Sequence, residues 1–136
     1  DQIKNLKYEA TDLGMTQDSV DVVLSIAMHE SGGQEAVKNP CSTAAGYCGI
    51  LDTTGKYVWN DIMGNDNYSY SLLFNGEDNL SISLNYIKYL TTIEGDNLSS
   101  VLTDYAGLYN QQFLNFVNGY LNRKGKSIYT VKLLNS

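Results

Sequence analysis

The chain has 136 residues, 43% of them hydrophobic, and a formal net charge of −6, which predicts one domain with a substantial core. The acidic balance, with no basic stripe, excludes nucleic acid as a partner and offers no electrostatic help toward an anionic polymer. No run approaches the roughly eighteen apolar residues of a membrane span, and one His with two Cys is too few for a zinc site.

In chain order, residues 3–13 are expected to form a short helix ending at Gly14. Residues 17–31 form the next, with Thr16 as N-cap, Asp18 in the first turn, and Val20, Val23, Leu24 and Ala27 on one face. Residues 32–57 lack periodicity and carry Gly32, Gly33, Pro40, Gly46, Gly49 and Gly55, a loop long enough to suggest function. Within 44–60, Tyr47–Leu51 and Tyr57–Trp59 suggest a short strand or hairpin. Gly64–Tyr70 is polar and irregular, and Leu72–Phe74 suggest a helical turn. Asp78 is expected to cap a helix over 79–92 with Leu80, Leu84, Ile87 and Leu90 on one face. Asn97 caps 98–109, with Val101, Leu102, Tyr105 and Leu108 or Tyr109 inward. Residues 111–122 place Phe113, Phe116, Val117, Tyr120 and Leu121 at helical spacing, and Arg123, Lys124 and Lys126 follow beside the negative helix end. The apolar tail 127–134 is expected to dock back as strand or helix. Because the chain opens on Asp1 rather than Met, a mature form or a segment excised from a longer protein is expected.

The most informative stretch is Ala27-Met28-His29-Glu30-Ser31-Gly32-Gly33. Glu30 falls in the last turn of the second helix, before two glycines that can supply a left-handed exit. The negative end of the dipole and any burial against the apolar face both disfavour its ionised form. A raised carboxyl suits a general acid near neutral pH; the alternative is an exposed Glu at a frayed helix end. His29, about 100° away around the helix, is expected to pack or lie on the surface.

Cys41 and Cys48 are separated by six residues. In an exported protein a bridge there would add on the order of 2–3 kcal/mol, while in cytosol both would be free thiols. The closeness of their loop to Glu30 favours the bridge. The abundant tyrosines, eleven in all, suit sugar stacking and core packing alike; Tyr47, Tyr57 and Trp59 offer faces in the loop-rich segment.

Four elements in order resemble the lytic transglycosylase and goose-type lysozyme superfamily. Its Glu-Ser-Gly at a helix end is matched by Glu30-Ser31-Gly32, and its Gly-Leu-Met-Gln by Gly49-Ile50-Leu51-Asp52. Its Asn-Ile-x-x-Gly-x-x-Tyr-Leu helix is echoed by Asn79-Leu80, Ser83 and Tyr86-Ile87. Its Ala-Tyr-Asn-Ala-Gly resembles Leu108-Tyr109-Asn110, trailed by Val117 and Tyr120-Leu121. Each motif is weak alone; their order and helix placement are stronger. Three departures stand out: Asp52 in place of Gln, Ser83 in place of the helix Gly, and a rival tyrosine in Asp104-Tyr105-Ala106-Gly107.

The resemblance implies a mainly α, lysozyme-like catalytic domain over residues 1–136, with a loop-rich or short β segment after the catalytic helix. It further implies cleavage of the β-1,4 bond between N-acetylmuramic acid and N-acetylglucosamine in peptidoglycan, with Glu30 as acid and base. Asp52 is a second catalytic candidate, since a hydrolase of the inverting type needs a second carboxylate; an Asx-type turn is its structural alternative. Ser31, Tyr47, Gly49, Ile50, Tyr105, Tyr109 and Asn110 are candidates for holding substrate. Helix termination explains Ser31 equally well, core packing the tyrosines and helix capping Asn110. No metal or organic cofactor is implied. The partners expected are peptidoglycan glycan strands, outside the cytoplasm at a cell wall or in a phage or conjugation apparatus, with further wall-binding or catalytic domains in the parent chain. The rival readings are a hydrolytic muramidase, a silent glycan-binding module, and a helical domain whose Glu-Ser-Gly match is accidental.

Overall fold

The computed structural model describes residues 1–136 as six α-helices around one core, with isolated bridges in place of a sheet. Helix α1 spans Gln2–Asp12, and the Asp1 side chain accepts from the amides of Ile3 and Lys4. Helix α2 spans Gln17–Ser31: Thr16 caps it through the Ser19 amide, and Gly32 leaves it in the left-handed conformation at φ 64°. Both ends are those the sequence predicts, because each is set by local chemistry.

The long segment after α2 folds differently from expectation in its second half. Ala45 and Ile50 exchange both backbone hydrogen bonds at 3.0 Å, and the Gly46 amide donates to the Val37 carbonyl at 2.7 Å. The expected strand or hairpin is thus reduced to a single bridge closed by Gly46–Gly49. Residues 52–57, expected as loop, instead form α3 (Asp52–Tyr57), which runs into a π-helical segment, Val58–Ile62. Burial of Gly55 and Val58 holds this helix on the core, a tertiary gain that overrides weak local propensity.

A short 3₁₀ turn, Tyr70–Phe74, leads into α4 (Gly76–Glu94). Its cap is Asn75, which accepts from the Asp78 amide, so the helix starts three residues before the sequence suggested. Leu80, Leu84, Ile87 and Leu90 are buried as expected, along with Asn79, Ser83 and Asn85. Helix α5 (Leu98–Ala106) has the expected Asn97 cap but stops at Gly107; Leu108 and Tyr109 therefore fall outside it and are exposed. Helix α6 (Gln111–Asn122) is capped by Asn110.

Helices α1 and α5 pack on α4, while α6 packs on α2. Burying each Leu, Ile, Val or Phe at these contacts contributes about 1.5–3 kcal/mol. The C-terminal tail docks back through a Met15–Leu134 bridge and through Asp96, whose carboxylate accepts from the Leu133 and Leu134 amides. Lys126 ties the same end of the chain to Asp18 and Asp21 of α2.

Candidate active site

Glu30 occupies the last turn of α2 and opens into a cavity of about 220 Å³ walled by Val37–Pro40, Ala44, Gly46 and Gly49. Lys38 is the cation of this wall, its Nζ held by the carbonyls of Asn39 and Ser42 at 3.1 and 3.0 Å. Gly49 backs the acid directly: a Cβ there would lie 3.1 Å from the Glu30 Cβ and Oε2, and its φ of +60° strains any residue with a side chain. The Glu30 side chain is 36% exposed, as in the alternative that the sequence left open. The reason is geometric, since α2 ends at the rim of the cavity rather than in the core.

Asn79 of α4 seats the loop that carries Gly49. It is fully buried, donates from Nδ2 to the carbonyls of Ala45 (2.9 Å) and Leu73 (2.8 Å), and accepts from the Cys48 amide at 2.9 Å. Gly46 lies so close to this amide and to the Leu73 carbonyl that no Cβ fits. Three buried hydrogen bonds from one side chain thus fix the turn against the acid, each costly to leave unmade.

A half-buried polar chain runs beside this turn. The Tyr105 hydroxyl lies 2.9 Å from the Ser83 hydroxyl and donates to the Cys48 carbonyl at 3.4 Å. Burial above all, then the neighbouring Cys48 and Glu30 charges, hold this phenol well above its ordinary range. Burial likewise pushes the Cys48 thiol up to about 12, with the Glu30 charge adding and the Ser83 hydrogen bond opposing.

No family profile matches the chain, and no curated protein matches its sequence. Among solved structures it is similar to the 70 kDa soluble lytic transglycosylase from Escherichia coli, with a TM-score of 0.74 at 17% identity. The match covers 95% of this chain and 25% of that one, so the chain spans a quarter of that enzyme's length. The fold is lysozyme-like, of the lytic transglycosylase type.

On that fold the residues singled out in the sequence separate. Glu30 and Gly49 touch, and Tyr105 joins them through Cys48 and its response to the Glu30 charge. Tyr109, the tyrosine favoured by motif, instead points outward, 61% exposed, and bonds Gln111; it lies beyond the end of α5. Asn110 caps α6 through the Phe113 amide. Ser31 closes α2, donating to the Ala27 carbonyl and accepting from the Gly33 amide. Ile50 is a core residue. Tyr47 donates to Gln2 at 2.9 Å and faces a separate apolar cavity beside Met28 and Tyr120. Trp59 is half-buried and donates to the Asp66 carbonyl.

Asp52 does not wall the Glu30 cavity. It starts α3, its Oδ1 accepts from the Tyr68 hydroxyl at 2.9 Å, and its amide donates to Thr43 Oγ1 at 3.0 Å. The favoured disulfide is also absent. Both cysteines are free, Cys41 exposed and Cys48 buried with its thiol against the Val23 carbonyl; the core draws Cys48 inward while the loop carries Cys41 out.

Two contacts around the acid escaped the sequence reading. Asn79 belonged to a matched motif, yet nothing local revealed that it holds a loop more than thirty residues away. His29 packs as expected, its ring centroid 4.9 Å from Phe113 and 5.1 Å from Phe116, but its Nδ1 also reaches Glu30 Oε1 at 3.4 Å. Angular separation on a helix does not prevent two long side chains from meeting at their tips.

Proposed function

We propose that this domain cleaves the glycan strand of peptidoglycan between N-acetylmuramic acid and N-acetylglucosamine, as a lytic transglycosylase. The observation that carries the reading is Glu30: it is the one carboxylate among the residues walling its cavity, at a helix end and against a glycine that admits close approach. Glu30 donates its proton to the glycosidic oxygen as the C1–O bond breaks through an oxocarbenium-like state. The C6 hydroxyl of the same muramic acid then forms the new C1–O bond, and its proton returns to Glu30. The product is a 1,6-anhydro sugar. An internal nucleophile carries an effective molarity far above that of any free alcohol, so a single catalytic carboxylate suffices. Tyr105 and Asn79 act as positioning residues through the Cys48–Gly49 turn.

On this reading the domain works outside the cytoplasm, on a cell wall or within a phage or conjugation apparatus, and a separate binding module or a delivery apparatus supplies the wall affinity that its net charge of −6 does not.

The test is digestion of purified peptidoglycan by the wild type and by Glu30→Gln, with mass spectrometry of the products. We expect muropeptides lighter by one water, reduced by about 10²–10⁴-fold in the variant, as for loss of a general acid. Wild-type turnover by Glu30→Gln would overturn the role of Glu30. Reducing-end products would make water the nucleophile and would turn attention to Asp52.

A further inference from the structure

The Glu30 carboxyl has one hydrogen-bonding partner in the protein, and it is the residue before it. His29 Nδ1 lies 3.4 Å from Glu30 Oε1, and no amide, hydroxyl or ammonium bonds either carboxyl oxygen. The contact is long, as catalytic hydrogen bonds often are before substrate closes the site. The imidazole is held in place by α6. Its centroid lies 4.9 Å from the buried Phe113 ring at 45°, and 5.1 Å from Phe116 at 62°. The other carboxyl oxygen, Oε2, is the one against Gly49 in the cavity wall. Lys38, the cation of that wall, has its Nζ on the carbonyls of Asn39 and Ser42. The two oxygens of the acid, chemically equal, therefore stand in different surroundings.

We propose that His29 is a positioning residue for the acid: its Nδ1–H donates to Oε1 and so assigns the working proton to Oε2. The inference rests on the reading of Glu30 as acid and base, and adds which oxygen acts and what holds the other. A neutral imidazole carries one N–H and one bare nitrogen. With the hydrogen on Nδ1, a second hydrogen on Oε1 would occupy the same gap, so protonated Glu30 holds its hydrogen on Oε2. As Oε2 gives that proton to the glycosidic oxygen, negative charge develops on the carboxyl group. The bond from Nδ1–H to Oε1 then becomes charge-assisted and strengthens. A bond stronger in the transition state than in the ground state speeds the chemical step without tightening substrate binding. When the C6 hydroxyl closes the anhydro ring, Oε2 takes up its proton and the bond relaxes. His29 itself neither gains nor loses a proton.

His29 is the chain's single histidine, so its two ring nitrogens can be read by nitrogen NMR without overlap. The spectra are recorded at pH values high enough that the ring signals no longer move with pH. We expect the hydrogen on Nδ1 in the wild type and on Nε2, the form a free imidazole favours in water, in Glu30→Ala. A hydrogen on Nε2 in both, or on Nδ1 in both, would overturn the proposal. Peptidoglycan turnover supplies the second readout. His29→Phe keeps a ring against Phe113 and Phe116 but has no donor; its kcat is expected to fall about ten- to hundred-fold, the scale of one hydrogen bond to a charged group, with KM and the urea midpoint near wild type. His29→Asn restores an N–H near the Nδ1 position and should recover most of kcat. Equal losses in the two variants, or wild-type kcat in His29→Phe, would overturn the proposal. A wild type that digests nothing would defeat the cleavage reading, while an Nδ1 hydrogen lost in Glu30→Ala would still support the pairing of His29 with Glu30. Digestion lost in Glu30→Gln together with an Nε2 hydrogen in the wild type would keep cleavage and overturn the pairing.

Discussion

At the scale of the residue, Glu30 depends on what touches it. Gly49 lies against its side chain in a backbone conformation that favours glycine. Gly49→Ala should cost about 1–2 kcal/mol from the strained φ and push the carboxyl aside. A displacement near 1 Å in such a site can cost about 10²-fold, so the expected result is a large fall in kcat with a modest fall in stability, read by peptidoglycan turnover and urea denaturation. Near-wild-type kcat would show that the acid does not need this seat. Asn79 acts one step further back, through the Cys48 amide and the Ala45 carbonyl. His29, clamped by Phe113 and Phe116, meets the other carboxyl oxygen.

At the scale of the element, the end of α5 decides which tyrosine serves the site. Gly107 terminates the helix in the left-handed conformation, so Tyr105 stays on the inward face and Tyr109 is carried into solvent. Tyr105→Phe removes a hydroxyl bonded to Ser83 and to the Cys48 carbonyl and should cost about 1–3 kcal/mol, because buried partners are left unpaired. Tyr109→Phe should stay within about 0.5 kcal/mol, as for most surface changes. Equal losses in urea denaturation would contradict a stabilising bond from Tyr105 to the buried Ser83 and Cys48. Helices α2 and α4 pack on each other and share the site: α2 supplies the acid, and α4 supplies Asn79 and Ser83 to hold the loop beside it.

At the scale of the whole molecule, the buried Cys48 and the half-buried Tyr105 link stability to alkaline pH. Burial lifts the Cys48 thiol from 9.0 to about 12. The unfolded chain therefore releases this proton above about pH 9 while the folded chain still holds it. The folded state binds more protons in that window, so stability is complete below pH 9 and declines as pH rises toward 12. The slope from this one thiol is at most about 1.4 kcal/mol per pH unit, and Tyr105, raised by the same burial, adds to the loss at higher pH. Urea midpoints measured from pH 8 to 11 should fall, and less steeply in Cys48→Ala. A flat profile would mean that Cys48 is not held as a buried thiol.

What the sequence by itself determined is local: the start of α2 at Thr16, its exit at Gly32, the cap Asn97, the apolar faces of α2, α4 and α6, and Glu30 at a helix end. Caps and periodic faces are legible because the atoms that stabilise them lie within a few residues. Tertiary structure alone decided the rest. Asp52–Tyr57 became helix because the core accepted Gly55 and Val58, Cys48 turned inward away from Cys41, and Tyr105 rather than Tyr109 came beneath the acid. Asp52 was drawn to Tyr68 and Thr43, outside the wall of the Glu30 cavity, while Asn79 joined α4 to the turn at Gly49. Each depends on groups that meet only after α2, α4 and α5 have packed, and no local pattern along the chain records which residues those will be.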